Sequence, residues 1–353
     1  MTDERREAEV TREQISLVRR LRHPRTIVSL AVPIVLLVLI GRVAVNIDVD
    51  RLVAAIVAAN GLLLLAAFAV YYLGFPLRGG RWALLLRRAG NRVGVPDATE
   101  IIFLSWLVNC LLPAKLGDIY RAYLLTLNSP VSLSRTFGTV FLERVFDLFA
   151  IVVFGLASGF VSFRTGLPGA VQAVFAVGVV VVVALAAGLL TMRNFGRRIL
   201  VRLPLPGKVT ELYDRFEEGV FASIRRRDLP LLGLVTGLIW ATEAARLYLV
   251  VAALGFPDVH LGMSGAFFVA LAGSLLTAVP FTPAGIGIVE AGLFGLLTVV
   301  YGVAPTEAAT IALVDRAISV LSIIILGSLA YAVSPKRRGA GMRTPVEAIE
   351  PTA

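Results

Sequence analysis

Two acid–arginine dipeptides stand inside apolar stretches of the chain: Glu143-Arg144 within LERVFDLFAIVVFG and Asp315-Arg316 within VDRAISVLSIIILG. An ionised side chain in hydrocarbon costs several kcal/mol unless it is paired, so such residues are candidates for function. Asp147 lies four residues beyond Glu143 and three beyond Arg144, on one helical face. Glu243 and Arg246 form another intramembrane pair. Two breaks stand beside these groups. One is Pro113-Ala114-Lys115-Leu116-Gly117, followed by Asp118 and Arg121; the other runs from Pro280 through Pro283-Ala284-Gly285-Ile286-Gly287 to Glu290. Each break precedes an apolar piece, whose helical N-terminus offers free N–H groups and a positive dipole end suited to phosphate. Lys115 and Arg121 add charge, and arginine forks onto two phosphate oxygens. Asp118, Glu143 and Glu290 would repel a bare phosphate. They either hold the arginines in place or take up protons to couple transport, and both roles stay open. So does the plainer alternative for Glu243–Arg246, a neutralising pair that fixes helix packing. The glycines have a plainer role too, permitting tight turns.

The composition says what solvent these residues meet. The chain has 353 residues, 57% of them hydrophobic and 16% charged, with a formal charge of +10. Mean hydropathy is +0.83. A soluble domain of this length could not hide so much apolar surface. Lipid accepts it, and in lipid the backbone must satisfy itself, which predicts helices. The basic residues lie between apolar stretches, as cytoplasmic loops do, which argues against nucleic-acid binding. One cysteine, Cys110, and two distant histidines, His23 and His260, predict no internal disulfide, no metal site and no cofactor. No cleavable signal peptide is expected.

The elements that must position the charges read as an all-α polytopic membrane protein, with about six full spans and two re-entrant half-helix hairpins arranged as an inverted repeat. Full spans are expected at about 26–45, 52–77, 136–162, 170–192, 229–254 and 307–333. Two pairs of shorter pieces, 100–112 with 116–127 and 262–279 with 287–300, lie either side of the proline breaks. About 12 residues rise about 18 Å, short of the ~30 Å hydrocarbon core, hence hairpins. A basic arm at 1–25, a basic cluster at 78–92, an amphipathic linker at 193–228 and a disordered tail at 334–353 then fall on the cytoplasmic side. Val209, Leu212, Phe216, Val220 and Ile224 give the linker an apolar stripe at helical spacing, predicting a helix on the membrane surface.

A duplication is also legible. Pro113 to Gly117 matches Pro283 to Gly287, Glu143-Arg144 matches Asp315-Arg316, and Arg81 with Gly90 can be set against Arg246 with Gly255. Repeat halves of about 52–162 and 229–333 would run in opposite directions, the signature of secondary transporters.

On these segments, from Asn109–Pro113 with Gly117, Asp118 and Arg121, through Glu143-Arg144 and Asp147, to Pro280–Glu290 and Asp315-Arg316, the chain resembles the lysylphosphatidylglycerol synthase transmembrane region, a family also described as flippase-like. The resemblance spans about residues 30–333. It implies a lipid-translocating module. About 20 polar residues follow the last span, so lipid synthesis by this chain, and lysylphosphatidylglycerol as its substrate, are not expected. The expectation is a plasma-membrane flippase or transporter, not an enzyme, for an anionic phospholipid or polyprenyl-phosphate-linked lipid. Two alternatives are a membrane-embedded lipid-modifying enzyme and a non-transporting partner of an envelope lipid synthase.

Overall fold

A computed structural model describes residues 48–163, 169–192, 207–276, 282–339 and 341–342. The N-terminal arm, the first expected span, Pro280, the arginines at 193–202 and the tail from 343 lie outside the described residues.

The described chain is built of helices. Five of them are long and apolar enough to cross a membrane. In order these elements are α1 (Val49–Ala58), α2 (Gly61–Arg88), α3 (Val95–Leu111), α4 (Leu116–Asn128), α5 (Leu133–Ser162) and α6 (Gly169–Thr191). Then follow α7 (Gly207–Ala222), α8 (Leu229–Leu254), α9 (Gly262–Leu276), α10 (Ile288–Gly295), α11 (Pro305–Arg316) and α12 (Ser322–Val333).

The second expected span, 52–77, is corrected at both ends. Asn60 caps a new helix with its side-chain oxygen, accepting from the amides of Leu62 and Leu63 at 3.0 and 3.2 Å. That splits α1 from α2. At the other end α2 runs on to Arg88, so Arg78 and Arg81 belong to the helix and are buried, not part of a cytoplasmic loop. They meet carboxylates there, which removes the cost that would have expelled them. Arg87, Arg88 and Arg92 remain at or beyond the helix end. Both α2 and α8 stop at a glycine in the left-handed region, Gly90 (φ 87) and Gly255 (φ 61), where a side chain would be strained.

The proline breaks turn the chain sharply. Ala114 and Lys115 (φ 61 and 51) link α3 to α4, and Ala284 (φ 51) with Gly285 and Gly287 (φ 70 and 89) lead into α10. At the first break a Cβ on Gly117 would come within 2.0 Å of the Ser105 carbonyl, so only glycine lets α4 start against α3. The second arm of the later pair starts at Ile288, just past the break, and runs through a π-helical turn to Val300, close to the expected 287–300.

Contacts tie both ends of each pair to one place. Lys336, just past α12, is fully buried. Its Nζ donates to Glu100 (2.6 Å) and pairs with Asp97 (2.9 Å) at the start of α3. Its carbonyl accepts from Asn128 at the end of α4 (2.8 Å). At the far end of α5, the Phe163 ring meets Phe268 of α9 (5.3 Å) and Tyr301, just beyond the second pair (5.4 Å). The start of the tail, 334–339, is therefore not disordered. It is pinned because Lys336 neutralises Asp97, which is buried, and Glu100, which is partly buried.

α7 docks on α5 through glycines. A Cβ on Gly219 would sit 2.0 Å from the Arg135 carbonyl, and one on Gly138 would sit 2.4 Å from that of Phe216. Val220 is fully buried there, while Val209 and Leu212 stay exposed. The stripe thus serves helix–helix packing at its C-terminal half.

Lys336→Met should cost about 3–5 kcal/mol, because it leaves Asp97 buried without its cation. The lone cysteine, Cys110, is buried, so thermal unfolding can be followed by its reaction with a thiol dye. An unchanged midpoint for this variant would refute the anchoring role.

Candidate functional site

A cavity of about 180 Å³ lies between the two proline breaks. Helices α2, α3, α5, α8 and α9, the two breaks, and the stretch around Arg316 all contribute to its wall. Each charged group in or behind that wall is placed by helical spacing. Arg78 and Arg81 are three apart on α2, as Glu243 and Arg246 are on α8. Among the described residues the two helices make the most extensive pairing.

Two arrangements recur. Arg144 forks onto Asp118, with Nε to Oδ2 at 2.8 Å and Nη2 to Oδ1 at 2.6 Å. Arg316 donates from Nε to Glu290 at 2.7 Å and from Nη2 to the Ala284 carbonyl at 2.6 Å. In both cases a carboxylate one turn past a break holds an arginine 26 residues further on. Behind them, Arg81 bonds Glu143 (3.2 Å) and Asp147 (2.7 Å), while Arg246 bonds Asp315 (2.8 Å). Arg246 also pairs with Glu243 in its own helix. Arg78 crosses between the helices to Glu243 (2.8 Å). Gly74 makes room for that guanidinium, since a Cβ there would lie 2.6 Å from Nη1.

Of the residues singled out in the sequence, Lys115, Arg144, Asp147, Glu243, Arg246, Gly285, Asp315 and Arg316 line the cavity. Asp118, Arg121, Glu143 and Glu290 do not. Asp118 and Glu290 grip the two arginines from outside the wall. Arg121 and Glu143 form a buried pair (2.6 Å), with the Arg121 guanidinium over the Trp82 ring at 4.8 Å. Pro113, Gly117, Pro283 and Gly287 shape the breaks without lining the cavity. At Gly287 the amide donates to Glu290 (2.6 Å), and at Gly117 the amide donates to the Asn109 side chain (2.8 Å).

Arg78 and Arg81 were read from the sequence as part of a basic cluster, so their place at the site is new. The signal was their spacing: they stand 165 residues before Glu243 and Arg246, the offset already seen for Arg81. The aromatic part of the wall had no such signal. The Arg78 guanidinium lies over the Trp106 ring (4.7 Å) and that of Arg246 over Tyr71 (5.0 Å), which shields one face of each cation.

Among the described residues no cluster of three metal-ligating side chains occurs. Six arginines meet six carboxylates in three separate sets of ion pairs, and the Lys115 side chain has no ion pair or hydrogen bond among the described residues. Arg144 is the most exposed of the six, at 33% of its side chain. Among the arginines that line the cavity, Arg316 follows at 13%.

Comparison with known proteins completes the description. The model of the family described as the lysylphosphatidylglycerol synthase transmembrane region matches residues 26–327. A UPF0104 membrane protein of Methanocaldococcus jannaschii is 34% identical over 226 residues, covering 64% of this chain and 92% of that protein. The glycosyltransferase AglD of Haloferax volcanii is 26% identical over 354 residues, covering 91% of this chain and 56% of its own length. A UPF0104 membrane protein of Methanothermobacter thermautotrophicus is 26% identical over 270 residues.

Burial separates two kinds of arginine. Arg81→Ala should cost about 3–5 kcal/mol, since Glu143 and Asp147 would lose a buried partner. Arg144→Ala should cost less, because that side chain is partly open and, although Asp118 loses its fork, Asp147 keeps Arg81. The order of the two melting midpoints by the Cys110 dye reaction checks this, and a reversed order would contradict it.

Proposed function

The chain belongs to the lysylphosphatidylglycerol synthase transmembrane-region family, and on that premise we propose that it carries the headgroup of an anionic lipid between leaflets while the tails stay in the bilayer. One observation carries the reading: two arginines, Arg144 and Arg316, reach a common cavity, each held by a carboxylate just past a chain break. Arginines restrained in this way present free N–H edges to a phosphate without first having to be ordered.

The proposed architecture is an inverted repeat with two re-entrant hairpins. Both ends of the α3–α4 pair contact Lys336, and both ends of the α9–α10 pair lie near Phe163. These are contacts a returning hairpin makes. α5 separates the two mouths, beginning at Leu133 beside the first and ending at Ser162 beside the second. Its 30 residues rise roughly 45 Å, the thickness of a bilayer with headgroups. The hairpins would then enter from opposite faces and bring their tips to the cavity. The α11–α12 segment, from Pro305 to Val333, runs the other way between the same mouths. In this reading the termini face the cytoplasm of a plasma-membrane protein, in keeping with its basic segments.

A second reading draws on one relative's name. AglD is called a glycosyltransferase, and this chain matches only 56% of it. On that reading this chain would partner an envelope lipid synthase or itself modify a lipid. Product formation by the purified protein would favour enzymatic modification. Stable association with an envelope synthase, without lipid movement, would favour the partner role.

Purified protein in liposomes with labelled anionic lipids should speed their movement between leaflets. Arg144→Ala and Arg316→Ala should each slow it by roughly tenfold or more, the loss of a charge-assisted contact. Equal rates in wild type and both variants would remove the arginines from the mechanism. Single cysteines near 205 and near 258 should be labelled from opposite faces of intact cells. Labelling from one face would overturn the inverted arrangement.

A further inference from the structure

We infer that the cavity is matched to a phosphodiester monoanion, a phosphate esterified at two oxygens with one negative charge, and discriminates against phosphomonoesters and diphosphates. The inference rests on the proposed transport reading and narrows its substrate class.

The first ground is charge. The six arginines and six carboxylates of the site neutralise one another in pairs, every carboxylate being engaged by at least one arginine. Lys115 is the surplus cation at the cavity wall. In a low-dielectric setting an uncompensated charge is costly, so the occupant best accommodated brings one negative charge and no more. A diphosphate or a doubly ionised monoester would leave at least one charge unmatched. A zwitterionic headgroup would bring a cation for which no carboxylate is free.

The second ground is hydrogen bonding. Among the described residues, the Trp240 indole N–H, the Arg78 Nη1 and the Thr282 hydroxyl are buried without a partner, and all three residues line the cavity. The first two are donors only, and the hydroxyl can donate as well. The unmet demand is for acceptor oxygens, which a phosphodiester supplies.

The third ground is local asymmetry. The two breaks match residue for residue, Ala114 with Ala284 and Lys115 with Gly285. Lys115 holds a left-handed backbone (φ 51) that its glycine counterpart adopts freely (φ 70). A charged side chain is kept where glycine would be easier.

That asymmetry supplies the test. Lys115→Gly removes the charge and relieves the backbone, so folding should be kept or improved, as read by the Cys110 dye melt. Full-length protein in phosphatidylcholine nanodiscs would be titrated at one neutral pH with short-chain phosphatidylglycerol, short-chain phosphatidic acid and farnesyl diphosphate. Wild type should bind phosphatidylglycerol at least roughly tenfold tighter than the other two, and Lys115→Gly should lose about that factor. Soluble glycerophosphoglycerol should compete, which separates recognition of the headgroup from attraction of the tails. Tighter binding of either multivalent anion, unchanged affinity in Lys115→Gly, or no competition by the soluble diester would each overturn the inference. Transport in liposomes without this preference would sink the charge match and leave the transport reading standing. The preference without transport would do the reverse.

Discussion

Charge cannot be stored unpaired in hydrocarbon, and that constraint organises the middle of this protein. An isolated buried ion costs many kcal/mol, and even a good pair barely recovers its desolvation. Six arginines are nonetheless packed together with six carboxylates, most of them almost wholly buried. Leucine or phenylalanine in their places would pack as well and cost less to bury. An expensive polar network is retained where it does something an apolar core does not, and here it surrounds the cavity.

The way the pairs are distributed makes the two halves depend on each other. Arg81 with Glu143 and Arg246 with Asp315 each close a pair within one half. Arg78 and Glu243 occupy matched places in α2 and α8, and they bond each other across the helix pair. Two identical side chains at those places would put like charge against like. Opposite charges turn the junction into an ion pair. The π-helical turn at Ala317–Leu321 directly follows Arg316, whereas α5 runs through Arg144 unbroken. Such turns are frequent at functional sites, where they re-aim the residues beside them.

Much of this was legible in the residues. The acid–arginine dipeptides, the Asp118 and Glu290 positions and the proline breaks drew attention because charged and helix-breaking residues stand out against leucine and valine. Eight of those singled out line the cavity. What stayed hidden has a common cause. Arg78 and Arg81 lie next to Arg87, Arg88 and Arg92, and a run of arginines after an apolar stretch reads as a loop. Only the carboxylates that reach them from α5 and α8 reveal that they are inside, and those contacts span 62 to 165 residues of sequence. Lys336 was hidden in the same way, because its partners at Asp97 and Glu100 are more than 230 residues earlier. Aromatic residues such as Trp106 gave no signal either, since in an apolar chain a tryptophan at the site looks like one in the core. Charge beside charge is local information, whereas charge satisfied at a distance is not.

The breaks bear on how such a site could work. Ala114, Lys115 and Ala284 hold left-handed conformations, each costing about 1–2 kcal/mol for a residue with a side chain. Glycine at any of these places would relax the strain, and glycine is already used one to three positions away at Gly117, Gly285 and Gly287. The strain is tolerated because neighbouring contacts fix the loops: Asn109 holds the Gly117 amide, Glu290 the Gly287 amide, and Arg316 the Ala284 carbonyl. The last two link the geometry of a break to the same arginine–carboxylate pair that faces the cavity. An anion that drew Arg316 toward itself would loosen its hold on Ala284 and on Glu290 together, and the strained turn would then lose its restraint at the Ala284 carbonyl. Under the transport reading, binding and loop movement would share one arginine, and no separate relay between site and hinge is needed.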